Sequence, residues 1–214
     1  MTTSIILLGL SVLPVIVLMI YIYRQDKYQK EPILSLFKAF FGGILAISLD
    51  IVIVGAINRI WVSNTVFYSA FMEAGIPEEL SKFIMFMALI WWDKNFDEYF
   101  DGIVYASFIG LGFACVENIM YVFSASAESF QSGIGTGVVR ALLSVPGHFL
   151  FGVVIGYFLS LAKFKKENRF VYLLSGLLLA MLAHGLFDWM LMISSVLPVI
   201  GGVIYIVFLW ADIK

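Results

Sequence analysis

The sequence predicts an all-α, polytopic membrane bundle of about seven transmembrane helices, N-terminus outside and C-terminus cytoplasmic. Two observations predict it. Apolar runs near the roughly 20 residues that cross a bilayer recur along the whole chain, and the mean hydropathy is +0.99. The loops between those runs alternate in Lys and Arg content, as the positive-inside rule requires. We read 1–214 as a single integral-membrane domain.

The first span is 4–23. Residues 1–4 carry no basic stretch and no small-residue cleavage site comes after the span, so it reads as a retained helix rather than a signal peptide. Arg24, Lys27 and Lys30 come straight after it, and Pro32 opens the second span, 33–57, with Asp50 late in it. The mixed stretch 58–75 reads as an outer connection with a short interfacial helix. The third helix, 77–92, starts at Pro77, a favoured first-turn position; it is short for a span, so it extends back toward Phe71 or sits inside the bundle. A polar connection, 93–101, leads to the fourth helix, 102–123. A Ser- and Gly-rich loop, 124–137, has no Lys or Arg and precedes the fifth helix, 138–162, with Arg140 at its start and Pro146 inside. The basic loop 163–169, the sixth helix 170–193 and a shorter last helix, 197–210, complete the chain.

With the first loop in the cytoplasm, Arg24, Lys27, Lys30, Lys38, Lys94, Lys163, Lys165, Lys166, Arg169 and Lys214 share that side, ten of the 13 basic residues. Arg59 and Arg140 fall outside, and Lys82 lies in a span. A net charge of −2 gives no electrostatic basis for nucleic-acid binding. The one cysteine, Cys115, rules out an internal disulfide and a cysteine-based zinc site.

The chemistry begins at Glu78, Glu79 and Lys82, three charges within five positions of a chain that is only 13% charged. An ionisable group inside a span costs roughly 2.5–3.5 kcal/mol unless it meets protein, water or a partner. At about 1.5 Å per helical residue, Glu117, Asn118, His148, His184, Asp188 and Asp50 all reach the outer half or the midplane, the depth of the Glu pair. Gly176, Ala180, His184 and Asp188 share one helix face. His148 sits above Gly152 and Gly156, so the polar groups face helix contacts rather than lipid. Each piece has an ordinary explanation. The Glu pair suits a helix start, Glu78–Lys82 is an i, i+4 ion pair, and a lone intramembrane His more often bridges helices. Together, three or four carboxylates, two imidazoles and an ammonium at one depth exceed what packing requires.

Glu78-Glu79-x-x-Lys82, Phe113-x-x-x-Glu117, His148 in Pro-Gly-His-Phe-Leu-Phe-Gly, and His184-x-x-x-Asp188 resemble the motifs of the PrsW family, in the same order and over nearly the whole chain. The resemblance implies a bacterial cell-membrane protease making the first cut in an anti-sigma factor, a single-span membrane protein. More distantly the pattern resembles the CAAX prenyl protease and bacteriocin-processing group, with Glu-Glu then Arg, Phe-x-x-x-His, and His-x-x-x-Asn. Here Lys82 stands one residue before that Arg position, Glu117 replaces the second-motif His, and Asp188 replaces the Asn. In that group a Glu and a His activate water while a His and an Asn hold the oxyanion.

The expected activity is a membrane-embedded endopeptidase in which Glu78 or Glu79 activates water. His148 and His184 polarise the carbonyl or shuttle the proton, and Asp188 orients His184. Glu117 completes the expected catalytic set, with Lys82, Asn118 and Phe113 in support. No cofactor is favoured. Zinc held by His148, His184 and a carboxylate such as Glu117 is the second mechanism, ranked lower because His-Glu-x-x-His is absent. The alternative from another class is a proton- or cation-coupled transporter using the same buried Glu, His and Asp residues. Inverted repeats and polar residues in both membrane halves would mark it, and the sequence shows neither.

Overall fold

The computed structural model describes residues 2–27 and 29–194, and all regular structure among them is helical. The helices are α1 (Thr2–Gln25), α2 (Ile33–Ile60), α3 (Val66–Tyr68), α4 (Ile76–Leu89), α5 (Tyr99–Ser126), α6 (Phe130–Leu142), α7 (Ser144–Phe164) and α8 (Arg169–Ile193). A π-helical segment, Ser69–Gly75, joins α3 to α4, and a 3₁₀ turn, Lys166–Asn168, precedes α8. Among the described residues five stretches are long and apolar enough to cross a membrane: α1, α2, α5, the α6–α7 pair, and α8 with its leading turn. The predicted last helix, 197–210, lies outside the described residues. The third predicted helix, with Glu78, Glu79 and Lys82 in it, is not among them.

Helix α5 is the axis of the bundle and packs against α1, α2, α6 and α7. Its buried stretch contains Gly102, Ala106, Gly110, Gly112 and Ala114, small residues that let neighbouring backbones approach. Two glycines set how closely the histidine-bearing helices approach their neighbours. A Cβ on Gly110 would lie 2.7 Å from the His148 carbonyl oxygen, and one on Gly75 would lie 2.7 Å from the Gly185 nitrogen. The first contact seats α7 on α5; the second seats α8 on the π-helical segment. Outward faces of α1, α2 and α8 remain apolar and exposed, as at Leu13, Val52 and Leu182, consistent with lipid contact.

The chain around the Glu pair is helical well before Pro77. Helix α4 begins at Ile76, and helical backbone extends back through the π-helical segment to Val66. Such wide turns cluster at functional sites.

The expected loop 124–137 is largely helix: α5 runs to Ser126 and α6 starts at Phe130. Gly133 packs on Ser126 and Leu7, and Gly137 on Leu10 and Val122; this packing overrides the low helix propensity of glycine. Ser129 caps α6 by accepting the Ser132 N–H at 3.1 Å. The expected helix 138–162 is broken at Leu143 (φ −121°, ψ −60°). Pro146 has no N–H to give the Leu142 carbonyl, so the chain turns there and α7 restarts.

At the end of the bundle opposite the Glu pair, Asp26, Glu31 and Asp101 are all buried. Tyr105 donates its hydroxyl to Glu31, and Asp26 accepts the Glu31 N–H at 3.2 Å. Burial, then the nearby Asp101 charge, pushes the Glu31 carboxyl up to about 9.

Candidate active site

Helix α4 places Lys82 one turn after the adjacent Glu78 and Glu79, all three buried. The ammonium of Lys82 donates to Glu79 Oε1 at 2.8 Å, to Glu78 Oε2 at 3.2 Å and to His148 Nδ1 at 3.1 Å. An ammonium has three N–H donors, and here each has an acceptor. Lys82 Nζ also lies 4.2 Å from the centre of the Phe113 ring, a cation–π contact.

With Nδ1 accepting from Lys82, His148 donates through Nε2 to Glu117 Oε2 at 2.9 Å. Helix α8 supplies the second imidazole. His184 donates through Nδ1 to Glu79 Oε1 at 2.9 Å, which turns Nε2 toward Asp188 Oδ2 at 3.5 Å and Glu78 Oε2 at 3.9 Å. The ring of His184 stacks on Phe151, centroids 4.6 Å apart, which fixes its plane. Glu78 Oε2 is also 3.9 Å from His148 Nδ1. Glu78 thus lies equally far from one ring nitrogen of each histidine.

A cavity of about 410 Å³ opens beside this cluster, lined among others by Glu78, Glu117, His148, His184 and Asp188. Glu79 and Lys82 do not line it. Of the Glu pair, only Glu78 faces the space a substrate would enter. Asp50 reaches the same cavity from α2, and its Oδ1 is buried without a hydrogen-bond partner.

The nine residues expected from the sequence therefore converge, though not in equal roles. Asn118 points away from the histidines and donates to the Ser11 carbonyl at 3.2 Å. Glu117, a candidate metal ligand by sequence, stands behind His148 rather than in the donor group. Arg140 is the participant sequence reasoning missed. It donates to Glu117 Oε2 and to Asn118 Oδ1, both at 2.7 Å, and lies 4.3 Å over the Tyr121 ring. Its signal was present in the charge tally, as one of only two basic residues assigned to the outer side.

Glu78, Glu79, His148 and His184 each offer a ligand atom within 4.8 Å of all the others. Two imidazoles whose remaining nitrogens are held by Glu117 and Glu79, with a third carboxylate between them, have the chemistry of a divalent-metal site. Charge points the same way. Among the described residues, Glu78, Glu79, Glu117 and Asp188 face two fixed cations, Lys82 and Arg140, so protons or a bound cation must supply the balance. The residues fit a metal, with Lys82 Nζ now standing among the donors.

A family model described as PrsW family intramembrane metalloprotease matches residues 31–213. The chain is 34% identical over 209 residues to "Protease PrsW" of Clostridioides difficile, covering 94% of this chain and 85% of that protein. It is 32% identical over 210 residues to "Protease PrsW" of Bacillus subtilis, covering 95% and 90%. The protein of that name from Oceanobacillus iheyensis is 35% identical over 189 residues, covering 86% and 82%. No solved structure matches the chain.

Proposed function

The chain belongs to the PrsW family of intramembrane metalloproteases, a multi-pass bacterial membrane protease, and from this premise we propose that Glu78 activates the water that cleaves its substrate. The observation that supports this reading is the placement of Glu78. It alone of the Glu pair lines the cavity, and it lies 3.9 Å from a ring nitrogen of each histidine.

In this reading Glu78 takes a proton from water as the water attacks the scissile carbonyl, then returns it to the leaving amine. His184, held by Glu79 and backed by Asp188, presents Nε2 to the cavity and, protonated on both ring nitrogens, donates to the developing oxyanion. Glu117 and Lys82 fix the ring of His148 from its two nitrogens, and Arg140 holds Glu117. Where a divalent metal is bound instead, His148, His184 and Glu78 would hold it in place of the base and oxyanion roles above, and it would supply Lewis acidity toward the carbonyl and lower the pKa of a bound water.

The substrate we assign is a single-span membrane protein cut near the outer face, an anti-sigma factor by the family resemblance. The arrangement we favour puts the N-terminus outside, with the last of seven spans after α8. The proton- or cation-coupled transporter alternative is not favoured, because the relatives are proteases. The test is cleavage of a single-span substrate by purified protein in detergent, comparing wild type with Glu78→Gln. Loss of cleavage by a well-folded variant is expected; normal cleavage by Glu78→Gln overturns the assignment.

A further inference from the structure

The donor group that would hold a metal already holds a cation. Lys82 Nζ lies 2.8–3.2 Å from Glu79, Glu78 and His148 Nδ1, three of the four residues of the donor group. A metal at His148 Nδ1 needs the nitrogen lone pair at about 2.0–2.1 Å, and the Lys82 N–H occupies that lone pair at 3.1 Å. One lone pair serves one cation. We propose that Lys82 is an internal competitor for the metal, so that a divalent ion enters the Glu78–His148–His184 site only as the Lys82 ammonium swings out of it. This rests on the donor set assigned above and adds a device for controlling its occupancy.

The surroundings set the direction of the swing. On one side of Lys82 lies a crevice of about 10 Å³ lined by Phe86, Ala106, Ile109, Ile155 and Leu159. It is apolar and too small to take a hydrated ammonium. Phe113, whose ring Lys82 already overlies, lines the large cavity. The flexible four-carbon stem of lysine lets Nζ leave the donors across that ring and into the cavity, where Glu117, Asp188 and Asp50 offer carboxylates. The displaced ammonium thus moves from a buried position to an accessible one.

Full-length protein in detergent tests this without any substrate. Zinc and cobalt are titrated into wild type, Lys82→Gln and Lys82→Met. Removing a unit charge within hydrogen-bond distance of the donors should tighten binding of one metal equivalent by at least about tenfold. His148→Ala in the Lys82→Gln background should abolish that gain. Variants that bind no tighter than wild type overturn the proposal. A second measurement uses wild type alone. Reductive methylation of Lys82, read by mass spectrometry, should be slow without metal, because the residue is only 5% exposed, and should rise several-fold with zinc. Unchanged labelling under saturating zinc overturns the proposal even where the variants fail to fold. A failure of Glu78→Gln to block proteolysis would leave these binding results standing, so the two readings fail separately.

Discussion

Glu78 and Glu79 are adjacent in sequence, yet their substitutions should fail in different ways. Glu79 is 1% exposed, and its Oε1 accepts from both Lys82 and His184, at 2.8 and 2.9 Å. Glu79→Gln leaves a buried ammonium with one carboxylate fewer. Breaking a buried pair costs about 3–5 kcal/mol. Lys82 keeps Glu78 and His148 as acceptors, so the lower end, about 3 kcal/mol, applies. Against a total stability of roughly 5–15 kcal/mol, that loss raises the unfolded-to-folded ratio about a hundredfold. Glu78→Gln removes a longer ion pair, 3.2 Å, and keeps an acceptor for Lys82, so the fold should survive. It loses the base, which is worth about 10²–10⁴ in rate. The assay pairs thermal unfolding in detergent with cleavage of a single-span substrate. Glu79→Gln should lose thermal stability and accumulate poorly; Glu78→Gln should melt near wild type and not cleave. A stable but inactive Glu79→Gln beside an active Glu78→Gln would show that the residue facing the cavity is not the base.

The remaining expectations rest on other contacts. Arg140→Ala should cut activity about 10–100-fold by releasing Glu117 from behind His148, with recovery on adding guanidinium; Arg140→Lys should recover only part, because a single nitrogen cannot reproduce the planar fork in which Nε meets Asn118 and a second nitrogen meets Glu117. Glu31 binds its proton more tightly folded than unfolded, about 9 against 4.5. Its contribution is complete below pH 4.5 and is lost as pH rises toward 9. Wild-type melting temperature should therefore fall across that window, and Glu31→Gln should flatten the fall. In a Cys115→Ser background, Ala127→Cys in intact cells should react with an impermeant thiol reagent and Glu167→Cys should not; the reverse pattern would invert the membrane orientation.

The residues of the site were legible because a membrane interior makes polar groups conspicuous. Glu78, Glu117, His148, His184 and Asp188 stood out against apolar runs, and their depth came from counting residues along helices. Their hydrogen bonds were not legible, since spacing on one helix says nothing of which partner faces it from the next. Arg140 was missed for that reason: its partners, Glu117 and Asn118, lie on α5. The α6–α7 break was legible in part: Pro146, which leaves the Leu142 carbonyl without a donor, signals a kink in that run, while hydropathy does not mark the break at Leu143, as apolar as its neighbours. Gly133, Gly135 and Gly137 read as loop on propensity alone, whereas contacts with α1 and α5 at Gly133 and Gly137 keep that stretch helical.

The hydrogen bonds of the site form one unbroken series, Arg140–Glu117–His148–Lys82–Glu79–His184. It draws on α6, α5, α7, α4 and α8, and its last member arrives on α8, after every other member has been synthesised. A nascent chain stalled before α8 has Glu78 and Glu79 but no partner for Glu79 beyond Lys82, and no imidazole for the far wall of the cavity. In the proposed mechanism, competence to cut peptide bonds therefore waits for the insertion of α8. Such timing would keep a half-made chain from premature hydrolysis through the order of its helices alone.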